Sequence, residues 1–237
     1  MGKLYGIGVG PGDPELLTLK AYRLLGEADY LFCPEKEAGA GSVAFDIIKD
    51  LIAGKKAQIV NLTYPMHYHG QKLRELWKEN AAVIAEYLAG EATGVFITLG
   101  DPAVYSTFMY TMPYLEELGV RTEVVPGVPS FCAAAGRAGV PLMTWNESLV
   151  VAPVRRNSGG ELTELLKNHD NAVLMKPSAD KAGLLDALKE NGLEQSFVLV
   201  EKAGTSEERL ITEITELEQE EIPYLSTMII KKQGIKL

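Results

Sequence analysis

The chain of 237 residues has few of the residues that form metal centres or nucleophilic triads. It contains 3 histidines and 2 cysteines, and Cys33 and Cys132 lie far apart without a CxxC motif or a neighbouring histidine. This spacing indicates two free thiols in a reducing compartment. His67 and His69 could form a metal pair or lie in a solvated loop. Because no third ligand follows nearby, we expect no metal site.

Basic residues and long apolar runs are also lacking. Lysine and arginine total 23 against 32 acidic residues, which gives a net charge of -9. Nucleic-acid binding normally needs a basic patch, and no basic cluster here is longer than two residues, as at Arg155-Arg156. No apolar run reaches about 18 residues, and the first 20 residues lack the features of a secretion signal. We therefore expect a cytoplasmic protein that binds neither nucleic acid nor membrane.

The first half of the chain alternates short apolar segments with longer amphipathic ones. This rhythm predicts parallel strands joined by right-handed helical crossovers. One predicted helix, "PELLTLKAYRLLGEA", places leucines mostly on one broad face, namely Leu16, Leu17, Leu19, Leu24 and Leu25. The second half has several strands with short connections, which favours a mixed sheet. We predict an α/β protein with two domains, at residues 1–116 and 117–237.

Three apolar strands end in turns rich in glycine and proline. Their sequences are "GIGVGPGD", "GVFITLGDPAVYST" and "VVPGVPSFCAAAGRAG". Each turn has an ordinary structural explanation; in the second, Asp101 would cap a helix that begins at Pro102. Each could also hold a ligand, because open α/β sheets bind small molecules at the carboxyl ends of their strands. Three such turns together favour the ligand.

A dinucleotide-binding loop is the main alternative for the first turn. The match is poor because Pro11 replaces the third glycine after Gly6 and Gly8. The next strand also ends at Cys33-Pro34, where NAD binding would need an acidic residue. These departures make NAD an unfavourable candidate.

Together, the three turns resemble those of the tetrapyrrole methylase family of S-adenosylmethionine-dependent enzymes. "NLTYPM", "AVLMKPS" and "IPYLSTMII" are further similar to the branch that methylates the C(20) meso carbon of precorrin-2 or cobalt-factor II. The resemblance runs from Lys3 to Lys231. It implies two α/β domains with a cofactor cleft between them, S-adenosylmethionine as methyl donor, a tetrapyrrole substrate and a homodimer.

The resemblance also assigns site residues. The positions that match the family's cofactor contacts are Pro11, Gly100, Asp101, Pro102, Val104, Pro129, Ser130, Lys176 and Ala203. The residues expected to face the substrate are Tyr105, Ser106 and Thr107. Lys176 and Pro129 replace other residue types, so their contacts can be through the backbone alone.

No catalytic base can be transferred from the family. In uroporphyrinogen methylases the second strand ends in an aspartate proposed as a proton acceptor, whereas Pro34 stands there in this chain. Two alternatives remain open at this point. One is a methylase that acts on another ring position or on diphthine, and the other is a non-catalytic dimer that binds adenosylmethionine.

The remaining basic and histidine residues leave simple alternatives. Lys20, Arg23 and Arg137 could pair with substrate carboxylates or with acidic residues of the protein surface. His169 is expected at a surface helix end. In the branch that this chain resembles, His67 and His69 would belong to a substrate loop.

Overall fold

A computed structural model describes residues 2–65 and 70–235 of the chain. The N-terminal part is an α/β unit in which strands and helices alternate. Its strands are β1 (Lys3–Gly8), β2 (Tyr30–Glu35), β3 (Gln58–Thr63), β4 (Thr93–Thr98) and β5 (Arg121–Val125). Its helices are α1 (Leu19–Glu27), α2 (Val43–Ile48), α3 (Gln71–Tyr87) and α4 (Thr107–Glu117).

The N-terminal strands form one parallel sheet in the order β3-β2-β4-β1-β5. Both faces are covered, because separate apolar clusters lie around Phe96 and around Ile97, which are neighbours on β4 and so point to opposite faces. Strands buried on both faces are continuous apolar runs, as β4 is. The predicted parallel sheet is confirmed.

The chain divides into two compact units between Pro129 and Ser130. The sequence placed this division at 116/117, before β5. In the structure β5 pairs with β1 over five positions, from Lys3 opposite Arg121 to Ile7 opposite Val125. Because these hydrogen bonds make β5 the edge strand of the first sheet, the first unit extends beyond the predicted boundary.

The predicted helix over "PELLTLKAYRLLGEA" is two separate elements. A short 3-10 helix spans Pro14–Leu16, and α1 begins after Thr18, whose side chain accepts a hydrogen bond from Ala21 N at 3.2 Å. This break rotates the leucines away from a common face, and Leu19 is 89% exposed. The buried residues of α1 are instead Ala21, Leu24 and Leu25.

The C-terminal unit contains the mixed sheet that the sequence predicted. Its strands are β6 (Leu149–Pro153), β7 (Asn171–Met175), β8 (Phe197–Glu201), β9 (Arg209–Ile211) and β10 (Ser226–Lys231). The order is β6-β7-β10-β8-β9; β6 and β7 are parallel and the other pairs are antiparallel. Its helices are α5 (Ser130–Ala138), α6 (Gly159–Asn168), α7 (Lys181–Glu190) and α8 (Ile214–Gln219).

Two of these helices were not predicted. No element was predicted where α7 lies, and the strand predicted over "RLITEI" ends at Ile211 in the structure, before α8 begins. Across residues 2–65 and 70–235, none of the helices combines the length and apolarity needed to span a bilayer.

Candidate functional site

Three glycines meet at the carboxyl edge of the N-terminal sheet. Gly8 ends β1, Gly100 follows β4 and Gly127 follows β5. A Cβ atom placed on Gly8 would lie 2.4 Å from the carbonyl oxygen of Gly100, and one placed on Gly127 would lie 2.2 Å from the same oxygen. Side chains do not fit at such distances, so this close backbone approach requires glycine.

The loops after β1 and β4 are joined by their backbones. Gly10 N donates a hydrogen bond to Gly100 O at 3.2 Å, and Gly100 N donates to Gly10 O at 2.8 Å. Gly10 and Gly100 have φ angles of +80° and +69°, in the region that favours glycine. Pro11, the first predicted cofactor contact, is buried directly beside this pair of bonds. The edge is therefore a fixed platform built from backbone.

Asp101 links this platform to the loop after β5. Its Oδ1 accepts a hydrogen bond from Ala103 N at 2.8 Å, and its Oδ2 accepts one from Gly127 N at 2.9 Å. The structural alternative of a helix cap is wrong, because α4 begins only at Thr107. Pro102 is buried in the intervening turn, and Val104 donates its backbone N–H to Asp101 O at 3.1 Å. Asp101 thus sets the relative positions of two strand ends.

The three predicted substrate residues have different surroundings. Tyr105 is 42% exposed and has a φ of +50°. Ser106 is buried, and its hydroxyl caps α4 by accepting a hydrogen bond from Phe108 N at 3.1 Å. Thr107 is the first residue of α4 and is half-buried. Capping accounts for Ser106 without a ligand, whereas the exposed Tyr105 is not explained by packing in the core.

The predicted cofactor residues of the C-terminal unit also lie at strand ends or helix starts. Ser130 opens α5, and its Oγ lies 3.4 Å from Thr227 Oγ1 on β10. Lys176 follows β7 with a φ of +56°, and Ala203 is buried after β8 beside Lys202, whose φ is +46°. Left-handed backbone at residues other than glycine is strained, and such strain is concentrated at functional sites. Pro129 is half-buried at the end of the N-terminal unit.

Sequence reasoning missed one polar residue of the N-terminal edge. Glu35 ends β2 and is only 7% exposed. Its Oε1 accepts a hydrogen bond from Gly39 N at 3.1 Å, whereas its Oε2 is the buried side-chain oxygen that lacks a hydrogen-bond partner among the described residues. The signal available in the sequence was an acidic residue directly after the apolar segment "YLFCP".

The basic residues left open by the sequence pair with protein carboxylates. Lys20 and Lys3 both bind Glu123 at 2.6 Å, and hydrogen bonds from Lys20 and Lys3 lower the Glu123 pKa to about 2. Arg23 binds Glu27, and Arg137 binds Glu208. In this structure Lys20, Arg23 and Arg137 therefore pair with acidic residues of the protein surface, which was the second of the two alternatives.

The histidines divide into two cases. His169 caps the end of α6, where its Nδ1 lies 2.9 Å from Leu165 O, as expected for a helix end. His67 and His69 lie outside the described residues. In the ranges 2–65 and 70–235, no three His, Cys, Asp or Glu side chains are grouped so as to hold a metal ion.

Comparisons with known proteins identify similar sequences along the whole chain. The family profile described as "Tetrapyrrole (Corrin/Porphyrin) Methylases" matches residues 3–218. The cobalt-precorrin-2 C(20)-methyltransferase of Salmonella typhimurium is 35% identical, with 98% of this chain and 97% of the relative covered. The probable cobalt-precorrin-2 C(20)-methyltransferase of Methanocaldococcus jannaschii is also 35% identical, with 97% and 96% covered.

Solved structures show the same architecture. A cobalt precorrin-4 methyltransferase has a TM-score of 0.76 at 26% identity, with 97% of this chain and 94% of that chain covered. A uroporphyrin-III C-methyl transferase from Thermus thermophilus, solved with S-adenosyl homocysteine, has a TM-score of 0.70 at 25% identity, with 98% of each chain covered.

Proposed function

Because the chain belongs to the tetrapyrrole (corrin/porphyrin) methylase family, we propose that it transfers a methyl group from S-adenosylmethionine to a tetrapyrrole. The proposed target is the C(20) meso carbon of precorrin-2 or its cobalt-containing form, in cobalamin biosynthesis. The observation that carries this proposal is the similarity, over nearly the whole length of both chains, to two relatives named for that reaction.

The glycine platform of Gly8, Gly100 and Gly127 suits the proposed cofactor. The absence of Cβ atoms at these positions lets the ends of three strands meet closely, and a parallel sheet binds ligands at this carboxyl edge. We assign the methionine part of the cofactor to Gly100, Asp101 and Pro102, with Pro11 and Val104 beside them. Ser130, Lys176, Ala203 and Pro129 are assigned as further contacts.

The proposed role of Asp101 is indirect. Both of its carboxylate oxygens already accept hydrogen bonds from backbone N–H groups of the protein. Its charge can also attract the ammonium group of a methionine moiety, but its geometric effect is to hold the turns after β4 and β5 in register. Losing either contribution would weaken cofactor binding.

The mechanism relies on positioning. S-Adenosylmethionine, when bound, supplies an electrophilic methyl group on a sulfonium that departs as a neutral thioether. The residues of this chain orient the donor and the ring so that the methyl carbon lies within about 3–3.5 Å of the target carbon, in line with the bond that breaks. Tyr105, exposed beside the platform, is the proposed contact with the ring. A site built from glycine, proline and small residues fits this task.

Mass analysis of the product tests the proposal directly. Purified protein is incubated with S-adenosylmethionine and either precorrin-2 or its cobalt-loaded form. We expect a mass gain of one methylene, with fragmentation that places it at C(20). Methylation elsewhere on the ring would identify a different methylase of the family. Adenosylmethionine binding without transfer to any tetrapyrrole would instead indicate a sensor.

We also propose a cytoplasmic homodimer, as the family resemblance implies. Trp145, fully exposed in the single chain, and the half-exposed Met143 beside it offer apolar surface for a second copy. Sedimentation equilibrium should give twice the chain mass of 25.8 kDa. A monomer at micromolar concentration would contradict the dimer and leave the methyl-transfer proposal unaffected.

A further inference from the structure

The N-terminal sheet opens at its carboxyl edge between β2 and β4. These strands pair from Tyr30 opposite Gly94 to Phe32 opposite Phe96, whereas β2 remains paired with β3 as far as Glu35 opposite Thr63. The last part of β2 therefore separates from β4 while it stays bound to β3.

The topology of the sheet reverses at the same place. From β2 the chain proceeds to β3 on one side, and from β4 it proceeds to β5 on the other side, beyond β1. In open α/β sheets a ligand binds in the crevice formed where neighbouring strands send their connections in opposite directions. β4 differs in this way from both of its neighbours, β2 and β1. Because the hydrogen bonds between Gly10 and Gly100 keep β1 and β4 joined beyond their ends, the open crevice lies outside the carboxyl ends of β2 and β4. Asp101 and Tyr105 follow β4 at this crevice, and Glu35 ends β2.

Glu35 has one carboxylate oxygen that the protein does not use. Oε1 holds the following loop by accepting a hydrogen bond from Gly39 N at 3.1 Å, and Thr63 Oγ1 lies 3.5 Å from the same oxygen. Oε2 is buried and has no hydrogen-bond partner among the described residues. A buried oxygen without a partner is costly, so a purely structural carboxylate would be expected to have both oxygens bonded.

The surroundings of Glu35 are shielded from water. Two residues earlier on the same strand, Cys33 is fully buried. Burial and, second, the charge of Glu35 raise the pKa of the Cys33 thiol to about 12. Glu35 itself is only 7% exposed, so bulk water has little access to its carboxylate.

We propose that Glu35 accepts the proton released when the meso carbon is methylated. The inference rests on the proposed methyl transfer. As the new carbon–carbon bond forms from the ring's π electrons, the methyl–sulfur bond breaks and its electron pair stays on sulfur. The meso C–H bond then breaks, its electron pair returns to the conjugated ring, and the proton passes to Glu35 Oε2. Charge and atoms balance without a further reactant.

The test compares Glu35→Gln with Glu37→Gln. Glutamine keeps an oxygen for Gly39 N but cannot accept the proton, and Glu37 is an exposed residue of the same loop, so its variant makes the same charge change as a control. We expect kcat of Glu35→Gln to fall about hundredfold or more. KM and the affinity for adenosylhomocysteine should stay within threefold of the wild-type values. The melting temperature should stay within a few degrees of that of the wild type. Glu37→Gln should match wild type throughout.

Two further readouts separate proton transfer from loop support. With substrate deuterated at the reacting meso carbon, Glu35→Gln should turn over more slowly than with the protonated substrate, because C–H cleavage then limits the rate. Glu35→Asp should recover part of the lost kcat. Normal kcat in Glu35→Gln, or a loss explained entirely by a smaller folded fraction, would overturn the proposal. If the wild-type protein methylates no tetrapyrrole, the proposed function itself fails, which is a different result.

Discussion

The carboxyl edge of the N-terminal sheet and the strand ends of the C-terminal unit position their candidate residues by different means. At the N-terminal edge, three glycines bring backbones so close that a Cβ would lie within 2.2–2.4 Å of a carbonyl oxygen. In the C-terminal unit, Lys176 and Lys202 carry full side chains on left-handed backbone, a conformation that Tyr105 also adopts beside the N-terminal glycines. The first arrangement depends on what is missing from the residues, and the second on strain that the surrounding sheet maintains.

This difference predicts where substitutions will be tolerated. At the glycine platform any side chain displaces backbone, so the residue type is fixed. At Lys176 the backbone conformation is fixed, but substitution of the side chain should be tolerated if the main chain makes the contact. The following predictions test that contrast.

The largest effect is expected for Gly127→Ala. Its Cβ would lie 2.2 Å from Gly100 O and 2.8 Å from Gly8 Cα, so the strand ends must separate. We expect the free energy of unfolding to fall by about 3 kcal/mol and cofactor binding to be lost. Gly160→Ala in α6 is the control, because no atom lies within 4 Å of its added Cβ; it should be neutral or stabilising by about 0.5–1 kcal/mol. Equal melting temperatures for both variants would contradict the requirement for glycine at the platform.

Asp101→Asn should have the next largest effect. Asparagine supplies one acceptor oxygen where the carboxylate supplies two, so either Ala103 N or Gly127 N loses its partner. We expect adenosylhomocysteine affinity, measured by calorimetry, to weaken by about 1.5–3 kcal/mol. Asp13→Asn is the matched control, since Asp13 accepts a single hydrogen bond, from Glu15 N, and asparagine caps nearly as well. If both variants bind adenosylhomocysteine as tightly as the wild-type protein does, Asp101 has no part in the site.

Tyr105→Ala should affect turnover more than binding. Tyr105 is 42% exposed, so its truncation removes little core packing. If Tyr105 aligns the ring, methyl transfer should fall at least tenfold, about 1.4 kcal/mol, while cofactor affinity changes less than threefold. Tyr22→Ala, at 45% exposure, controls for loss of a surface tyrosine. A large fall in melting temperature with normal turnover per folded molecule would show that Tyr105 is structural.

The smallest effect is expected for Lys176→Met. If the contact is made by the backbone, adenosylhomocysteine affinity should change less than threefold, because both residues can take the same backbone path. Lys176→Gly should raise the melting temperature, since glycine adopts a φ of +56° without strain. A tenfold or larger loss of affinity in Lys176→Met would mean that the ammonium group itself binds the cofactor.

The same contrast explains what could be predicted from the sequence. Glycine and proline at the end of an apolar segment predict a turn directly, so the turns that contain Gly100 and Gly127 could be predicted from the sequence. Left-handed backbone at Lys176 has no comparable signature, and that position was named only through the family resemblance. Leu19 was grouped with the other leucines on one broad face because periodicity cannot show that the helix breaks between Leu16 and Leu19.

Residues whose role depends on which groups their side chains meet in the fold could not be interpreted from the sequence. Asp101 resembles a helix cap in sequence, yet its Oδ2 accepts a hydrogen bond from Gly127 N, 26 residues away. Ser106 resembles a substrate contact, yet its hydroxyl is used by α4. Glu35 had no motif at all, and only its burial and its unused oxygen distinguish it from the surface carboxylates.

Calorimetric titration with adenosylhomocysteine and, separately, with NAD tests the central claim most directly. In the proposed site, the glycine platform binds the amino-acid part of adenosylmethionine and does not act as a dinucleotide-binding loop. We therefore expect micromolar binding of adenosylhomocysteine, about −8 kcal/mol, and no detectable heat with NAD. NAD binding in preference to adenosylhomocysteine would contradict this assignment.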